Sequence, residues 1–244
     1  MEYDVNCNNT PFGCEVRRVV KSKLSGSLTL SDLDRNCMSG IMVDFCFDQE
    51  GDLILKINKE ACHQQDFSDQ TYLLAIDQEN ELGMDILISG TSQVHHDQVY
   101  SANVYQLYFR DIFVSEYNLF DYFYIKLEVN QVQLIGQEGN IFHLDRSDFI
   151  QEQIFSPEQV QETCSYVNQY HQEALRQYCM TIGLPHENQV ISVIAFDKEG
   201  IWLQVNTKKY FMSFSKTISN LAMFKAILIA LAKQYGLFQH HQEY

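Results

Sequence analysis

The stretch from Asp121 to Phe149 constrains the fold most strongly, because its apolar residues alternate with polar ones over a length that only a sheet can bury. Between Tyr122 and Val129 the apolar residues recur with the two-residue period of a half-buried strand. Asn130-Gln131 provides a polar break, and the alternation resumes over 132–136, which predicts a hairpin. The segment 141–144 predicts a further short strand. A hairpin this apolar needs other strands to cover it.

The remainder of the first half supplies those strands. A predicted opening helix is followed by several short alternating runs separated by turns, and this pattern favours a closed antiparallel barrel. The segment 91–103 has no regular pattern, and 104–109 fits either a strand or the last turn of a short helix. The other predicted elements are a helix over 12–23, a strand over 27–30, a hairpin over 40–58 that turns at 48–52, and strands over 72–76 and 86–88.

The character of the chain changes after residue 150. Ser156-Pro157-Glu158-Gln159 is a strong helix start, with serine as the N-cap and glutamine in position to complete a capping box. This helix is predicted to run to Ile182, before Gly183 and Pro185. Three strands over 190–196, 201–205 and 210–214 and a last helix over 219–236 complete an α-β-β-β-α unit. The predicted class is α+β, with a barrel domain over 1–150 and a small α/β domain over 155–244.

Charge and composition exclude several classes of function. The formal net charge is −15, from 32 acidic and 17 basic residues. Nucleic acids and anionic membrane surfaces bind clusters of lysine and arginine, so neither is an expected partner. No apolar run approaches the roughly 20 residues of a membrane span. The seven cysteines are scattered without a CxxC pair, which fits reduced thiols in the cytoplasm, the expected location.

The chain carries no recognisable catalytic motif, so its histidines are the main candidates for a site. His95-His96 and His240-His241 are adjacent pairs predicted to lie in a loop and in the tail. His63, His143 and His171 lie in or beside predicted ordered elements, where a metal ligand would lose less conformational freedom. Each of these three can also be structural: His143 could fill the barrel wall, and His171 could be a buried helical histidine satisfied by a local hydrogen bond.

Several of these residues together resemble the HugZ-type haem-utilisation family. The segment VNQYHQEAL, residues 167–175, is similar to the MNxDH-like helix of its C-terminal domain; Asn168 and His171 match, and Tyr170 replaces the acidic residue. The segments IAFDKEGIWL, residues 194–203, and YFMSF, residues 210–214, follow as in that domain.

The stretch over 121–149 resembles the last strands of that family's split barrel, which is similar to the flavin-binding pyridoxamine phosphate oxidases. Gly136 and Gly139 match the outer glycines of a GGFG-like segment. His63 matches a His-Thr-basic segment, but Gln64 and Gln65 replace the hydroxyl and the base that would hold a flavin phosphate. The resemblance therefore implies an FMN-binding type of split β-barrel in which FMN itself is an unlikely cofactor.

The resemblance implies a homodimer formed through the barrel and a haem-binding protein of haem utilisation, with oxidative haem breakdown as the activity of some members. The partner would be haem or a related tetrapyrrole. The iron ligand is predicted among His63, His143 and His171, with His143 preferred because it follows the glycine pair in the last barrel strand. The alternative is a non-enzymatic interaction module that regulates an enzyme of a tetrapyrrole or haem pathway, as in related plant proteins.

Overall fold

The computed structural model describes residues 12–30, 40–58, 70–77, 82–93, 97–109, 122–184, 189–214 and 216–234. Contacts between Cα atoms divide the chain into two compact units, residues 1–105 with 111–152 and residues 106–110 with 153–244. The helices are α1 (Phe12–Lys23), α2 (Gln98–Phe109), α3 (Arg146–Phe149), α4 (Pro157–Tyr170), α5 (Gln172–Thr181) and α6 (Leu221–Gln234). The strands are β1 (Ser25–Leu30), β2 (Ile41–Phe47), β3 (Leu53–Asn58), β4 (Thr71–Ile76), β5 (Asp85–Gln93), β6 (Tyr122–Ile135), β7 (Ile141–Asp145), β8 (Ile191–Phe196), β9 (Gly200–Val205) and β10 (Lys208–Ser213).

The first unit is a split β-barrel. Its seven antiparallel strands follow the order β3-β2-β1-β4-β5-β6-β7, and an additional pairing of β3 with β6 closes six of them. Alternate residues point inward, as on β2, where Val43, Phe45 and Phe47 belong to the buried core. The predicted class, an antiparallel barrel followed by a small α/β unit, is confirmed.

The predicted hairpin over 122–136 is wrong, because β6 is one continuous strand of 14 residues. Opposite β5, Ser89 pairs with Gln131 and Gly90 pairs with Val129, so Asn130 is an extra residue in the register of the two strands. Its side chain donates to Oγ1 of Thr91 on β5 at 3.1 Å. A β-bulge of this kind shifts the alternation by one position, which in a sequence looks the same as a two-residue turn. The observed turn follows at Gly136–Gly139, where Gly139 has a φ of +78°.

The split in the barrel lies where β6 changes partners along one edge. Pairing with β3 ends at Leu127, and pairing with β7 begins at Gln131. Between them, the N–H of Val129 donates to Oδ1 of Asp52 (2.9 Å), and its carbonyl accepts from Nη1 of Arg146 (2.6 Å). Two side chains therefore replace the missing strand at this point.

Asp52 is the centre of a buried charge network. Besides Val129, its carboxylate accepts from Nη2 of Arg146 at 2.9 Å and lies 3.5 Å from Nζ of Lys126. Lys126 is also 2.8 Å from Asp48, the first residue of the β2–β3 turn, and is bonded to Glu50. Buried charges are tolerated when they are paired in this way. Arg146 joins this network through its ion pair with Asp52.

Helix α2 begins in the segment that had no regular pattern in the sequence, and the helical alternative for 104–109 is correct. Asp97 begins it, with Oδ1 accepting from the N–H groups of Val99 (2.9 Å) and Tyr100 (3.1 Å). The side chain of Gln98 forms two hydrogen bonds with the backbone of Tyr124, accepting from its N–H at 2.9 Å and donating to its carbonyl at 2.7 Å.

The second unit contains a three-stranded antiparallel sheet in the order β10-β9-β8. Trp202 on the central strand is fully buried against the rings of Tyr108 (4.9 Å) and Phe211 (4.6 Å). The rings of Phe196 and Phe224 stack at 4.1 Å, which joins β8 to α6. The predicted capping box at the start of α4 is present.

The predicted long helix over 157–182 is interrupted at His171, which ends α4 and begins α5. His171 has φ −127° and ψ 28°, outside the helical range. Next to it, Nε2 of Gln172 donates to the carbonyl of Asn168 at 2.9 Å. A continuous helix would offer that carbonyl to the backbone N–H of Gln172, so the glutamine side chain supports the break.

Candidate functional site

The three predicted haem ligands have different surroundings. His63 lies outside the described residues, so nothing tests it. His143 lies on β7 opposite Gln133, and its side chain is exposed on the outer face of the sheet. The glycine pair before it forms an exposed turn, and a Cβ atom built on Gly139 would meet nothing within 4 Å. The role of His143 as iron ligand stays a prediction.

His171 lies in the second unit, and the structure gives it a different environment from the one that the helical pattern indicated. It is exposed and not buried, because the break between α4 and α5 turns it out of the helical stripe. Its ring meets the ring of Tyr166 edge-on, with the centroids 5.4 Å apart. An exposed imidazole with one fixed neighbour is accessible to a ligand and still restricted in orientation.

His171 also lines a cavity of about 310 Å³ within the second unit. Its walls come from α4, α5, β9, the segment after β10 and α6, and most of the lining is apolar. Ligand pockets are typically of about 300 to 1,000 Å³, apolar, with a few polar groups that fix orientation. The lining residues are Thr163, Tyr166, Val167, His171, Ala174, Leu175, Tyr178, Ile201, Phe214, Lys225, Leu228 and Ile229.

Most of these pocket residues were not predicted as a site. A weak signal was present in α4 and α5, where the apolar stripe is wider than core packing requires: Val167 and Leu175 are buried, whereas Tyr166 is 53% exposed. On α6, Ile229 is likewise 46% exposed. Tyr166 and Ile229 stay exposed because they face the pocket and do not pack against a neighbouring helix.

The match of Asn168 to the family motif has a structural explanation here. Its side chain accepts from the N–H of Val193 at 2.7 Å and donates to the carbonyl of the same residue at 2.8 Å. β8 is an edge strand of its sheet, so Asn168 satisfies backbone groups that have no neighbouring strand. Asn168 is not among the residues that line the pocket.

The cysteines of α4 and α5, Cys164 and Cys179, belong to the buried core. Burial raises the pKa of the Cys164 thiol to about 12 and that of the Cys179 thiol to about 11. Both therefore remain neutral thiols at physiological pH and act as small apolar side chains.

Asp48, Glu50 and Asp52 on the β2–β3 turn are close enough together to ligate a metal ion. The ammonium group of Lys126 already lies among all three carboxylates, where a cation would be bound. This turn is therefore a charge network that stabilises the barrel. Within the described part of the chain, no helix is long and apolar enough to cross a membrane.

The sequence matches no protein-family model and no curated protein. Among solved structures, the protein Atu2129, of unknown function, from Agrobacterium tumefaciens strain C58 aligns over 91% of this chain and 96% of its own, with a TM-score of 0.66 and 15% identity. The two proteins therefore share a fold.

Two further solved structures are more distant. A haem-binding protein from Mycobacterium smegmatis aligns over 93% of this chain and 98% of its own, with 14% identity and a TM-score of 0.41. ChuZ from Campylobacter jejuni aligns over 59% of this chain and 62% of its own, with 10% identity and a TM-score of 0.38. These two scores are too low to carry an argument about this chain.

Proposed function

We propose that the protein binds haem as part of haem utilisation, with His171 as the iron ligand in the pocket of the second unit. The observation that supports this proposal is an exposed imidazole in the wall of an apolar cavity. Haem iron is commonly held by histidine, and the flat porphyrin is stabilised by apolar walls. His143 is exposed on the outer face of the sheet and does not line this pocket, so the geometry favours His171.

The residues of the pocket fit the chemistry of haem. Val167, Leu175 and Leu228 provide aliphatic surface, Phe214 provides an aromatic ring, and Lys225 provides a cation. At about 310 Å³ the cavity is near the lower end of ligand pockets, so it would hold part of a porphyrin and leave the rest in solvent. When bound, haem supplies the redox and oxygen chemistry, and the protein supplies the ligand and the pocket.

The test is a titration of the purified protein with haemin, followed through the Soret band. We expect a saturable, shifted band in the parent protein that His171→Ala abolishes. His143→Ala is the matched control, since it removes an equally exposed histidine outside the pocket. Loss of the band in His143→Ala alone would overturn the pocket assignment in favour of the barrel strand. A Soret band that stays where free haemin absorbs would reject haem binding by the parent protein.

The same titration tests haem breakdown. Oxidative breakdown needs a reductant and dioxygen, so ascorbate is added in air to the haem complex. A progressive loss of the Soret band, prevented by omitting the ascorbate, is the result expected of a haem-degrading enzyme. A stable band under these conditions would restrict the protein to haem binding.

One observation favours the alternative, a non-enzymatic interaction module. Large apolar side chains remain exposed around the same pocket, among them Tyr166, Tyr170 at 62% and Ile229. An apolar helix of a partner protein could bind such a groove. If haemin causes no spectral change, this reading takes the place of haem binding.

We also propose that the protein forms a homodimer through the barrel. By register, the outer sheet face carries Met42, Ala75 and Leu87 in one row that ends at His143, with Ile141 beside it. Met42 is 74% exposed and Ile141 is 53% exposed, and a second copy would cover them. Sedimentation at micromolar concentration tests this, and a monomer would contradict it.

The prediction that FMN is not a cofactor depends on residues 63–65, which lie outside the described residues. It stays a prediction. A yellow protein that retains flavin through purification would overturn it.

A further inference from the structure

The charge of the pocket is unlike that of the rest of the protein. The chain has a formal net charge of −15. Among the twelve residues that line the pocket, none is acidic, and Lys225 carries the one fixed charge. A cation at the mouth of an apolar cavity favours a ligand that is apolar along its body and anionic at one end.

The sequence around Lys225 shows the same asymmetry over a much longer range. Between Glu199 and Glu243 the chain has no aspartate or glutamate, yet the intervening segment, 200–242, contains five lysines. That segment includes Ile201, Phe214 and the whole of α6, which form one side of the pocket. The charged side chains of this segment are therefore all basic in an otherwise acidic protein, and basic side chains attract anions.

The helices on the other side do carry carboxylates, but these do not belong to the pocket. Glu162 and Glu173 are exposed and are absent from its lining. Glu173 lies 3.5 Å from Arg176, one turn further along α5, which offsets its charge. Lys225 is itself exposed while lining the cavity, as expected for a lysine whose methylene stem covers apolar surface and whose ammonium group reaches solvent.

We propose that Lys225 binds a carboxylate of the ligand, so that the pocket selects anionic tetrapyrroles with free carboxylic acid groups, with or without iron. This inference rests on the proposed function, because it assumes that a porphyrin occupies the pocket. It adds a second determinant of specificity: His171 recognises the iron, and Lys225 recognises the acidic edge. An iron-free porphyrin acid is then also a ligand, and an esterified porphyrin is a poor one.

The experiment compares three probes: haemin, haemin dimethyl ester and protoporphyrin IX, the iron-free dicarboxylic acid. Binding is followed by absorption for the two haemins and by porphyrin fluorescence for the third. We expect Lys225→Met, which keeps the length of the side chain, to weaken binding of both acids about three- to tenfold and to leave the ester unchanged. Lys216→Met is the matched control, since Lys216 is an exposed lysine of the same segment outside the pocket. His171→Ala should weaken the binding of haemin more than the binding of protoporphyrin, because only haemin has an iron to ligate.

The outcomes separate this inference from the proposed function. If haemin binds through His171 but the ester binds equally well, or Lys225→Met matches the parent protein, the role of Lys225 is wrong and haem binding stands. If haemin gives no Soret shift but protoporphyrin binds in a Lys225-dependent way, iron ligation is wrong and the carboxylate site stands. If no probe binds, both are wrong.

Discussion

The barrel and the second unit each contain a strand residue whose backbone N–H and C=O face no neighbouring strand. In each unit side chains form the missing hydrogen bonds, but the side chains differ in charge. In the barrel, Val129 is bound by the charged pair of Asp52 and Arg146. In the second unit, Val193 is bound by the neutral amide of Asn168. One amide can donate and accept at once, whereas a carboxylate only accepts and a guanidinium only donates, so the charged solution needs two residues.

The ion pair of Asp52 and Arg146 does more than bind the backbone of Val129. Asp52 and Arg146 are 94 positions apart, so their pairing joins the start of β3 to the end of β7 across the split. The stability of this charge network depends on each of its residues, because removing one of them leaves a buried charge without an opposite charge beside it. The neutral amide has no such dependence. The two regions should therefore differ in the size of a mutational effect and in its response to pH.

The largest effect is expected for Asp52→Ala. The substitution removes the acceptor of the Val129 N–H and leaves Arg146 and Lys126 without their shared carboxylate. We expect a loss of about 3 to 5 kcal/mol in the free energy of unfolding, as for other broken buried ion pairs. Urea unfolding followed by circular dichroism measures it. Asp52→Asn keeps an oxygen for Val129 and should lose less; an equal loss would show that the lost charge accounts for the whole effect and that the hydrogen bond to Val129 contributes nothing measurable.

The next effect concerns alkaline pH. Burial lowers the pKa of Lys126, but its bonds with Asp48 and Glu50 and the charge of Asp52 outweigh burial and raise it above the usual range. A lysine whose pKa is higher in the folded state than in the unfolded state stabilises the folded protein. This contribution is complete below the unfolded pKa of about 10.4 and is lost as the pH rises through the folded pKa. The urea midpoint should therefore fall more steeply above about pH 10 in the parent protein than in Lys126→Met. Parallel slopes would refute this.

Asn168→Ala should have a smaller effect. It removes two hydrogen bonds to Val193, each worth about 0.5 to 1.5 kcal/mol, so we expect a loss of about 1 to 3 kcal/mol that is the same at neutral and alkaline pH. Faster hydrogen exchange at the amide of Val193 would locate the change. Asn168→Asp retains the acceptor but not the donor and serves as the control. If Asn168→Ala lowered the free energy of unfolding more than Asp52→Ala does, the expected order of the two regions would be wrong.

The smallest effect is expected for Gln98→Ala in α2. Gln98 forms the same pair of bonds with Tyr124 that Asn168 forms with Val193, but it is exposed, so water can replace its amide. We expect a loss of about 1 kcal/mol or less in the same unfolding assay. If this loss matched that of Asn168→Ala, the number of bonds and not their burial would determine the cost.

The sequence allowed the strands of the barrel to be predicted where alternation was unbroken, and the capping box located the start of α4. It misled at Asn130, since a bulge and a turn both place two polar residues between alternating runs. The break at His171 had no signal either, because it depends on the side chain of Gln172 bonding the carbonyl of Asn168.

Only part of the candidate site could be predicted from the sequence. His171 could be proposed from a resemblance, but the pocket around it could not, because Thr163, Ile201 and Leu228 meet only through tertiary packing. The position of Arg146 in the split likewise depends on which strands meet there, and no local pattern indicates it. Local sequence patterns predict individual helices and strands, whereas a pocket is formed by residues that are distant in the sequence and meet only in the folded chain.

Trp202 is the one tryptophan of the chain, and it is buried in the second unit against Tyr108 and Phe211. Selective excitation of indole fluorescence therefore reports on this unit, while the barrel contributes none of that emission. Circular dichroism averages over both units. Recording the two signals through one unfolding transition would show whether the units lose structure together or in sequence, without attaching any dye.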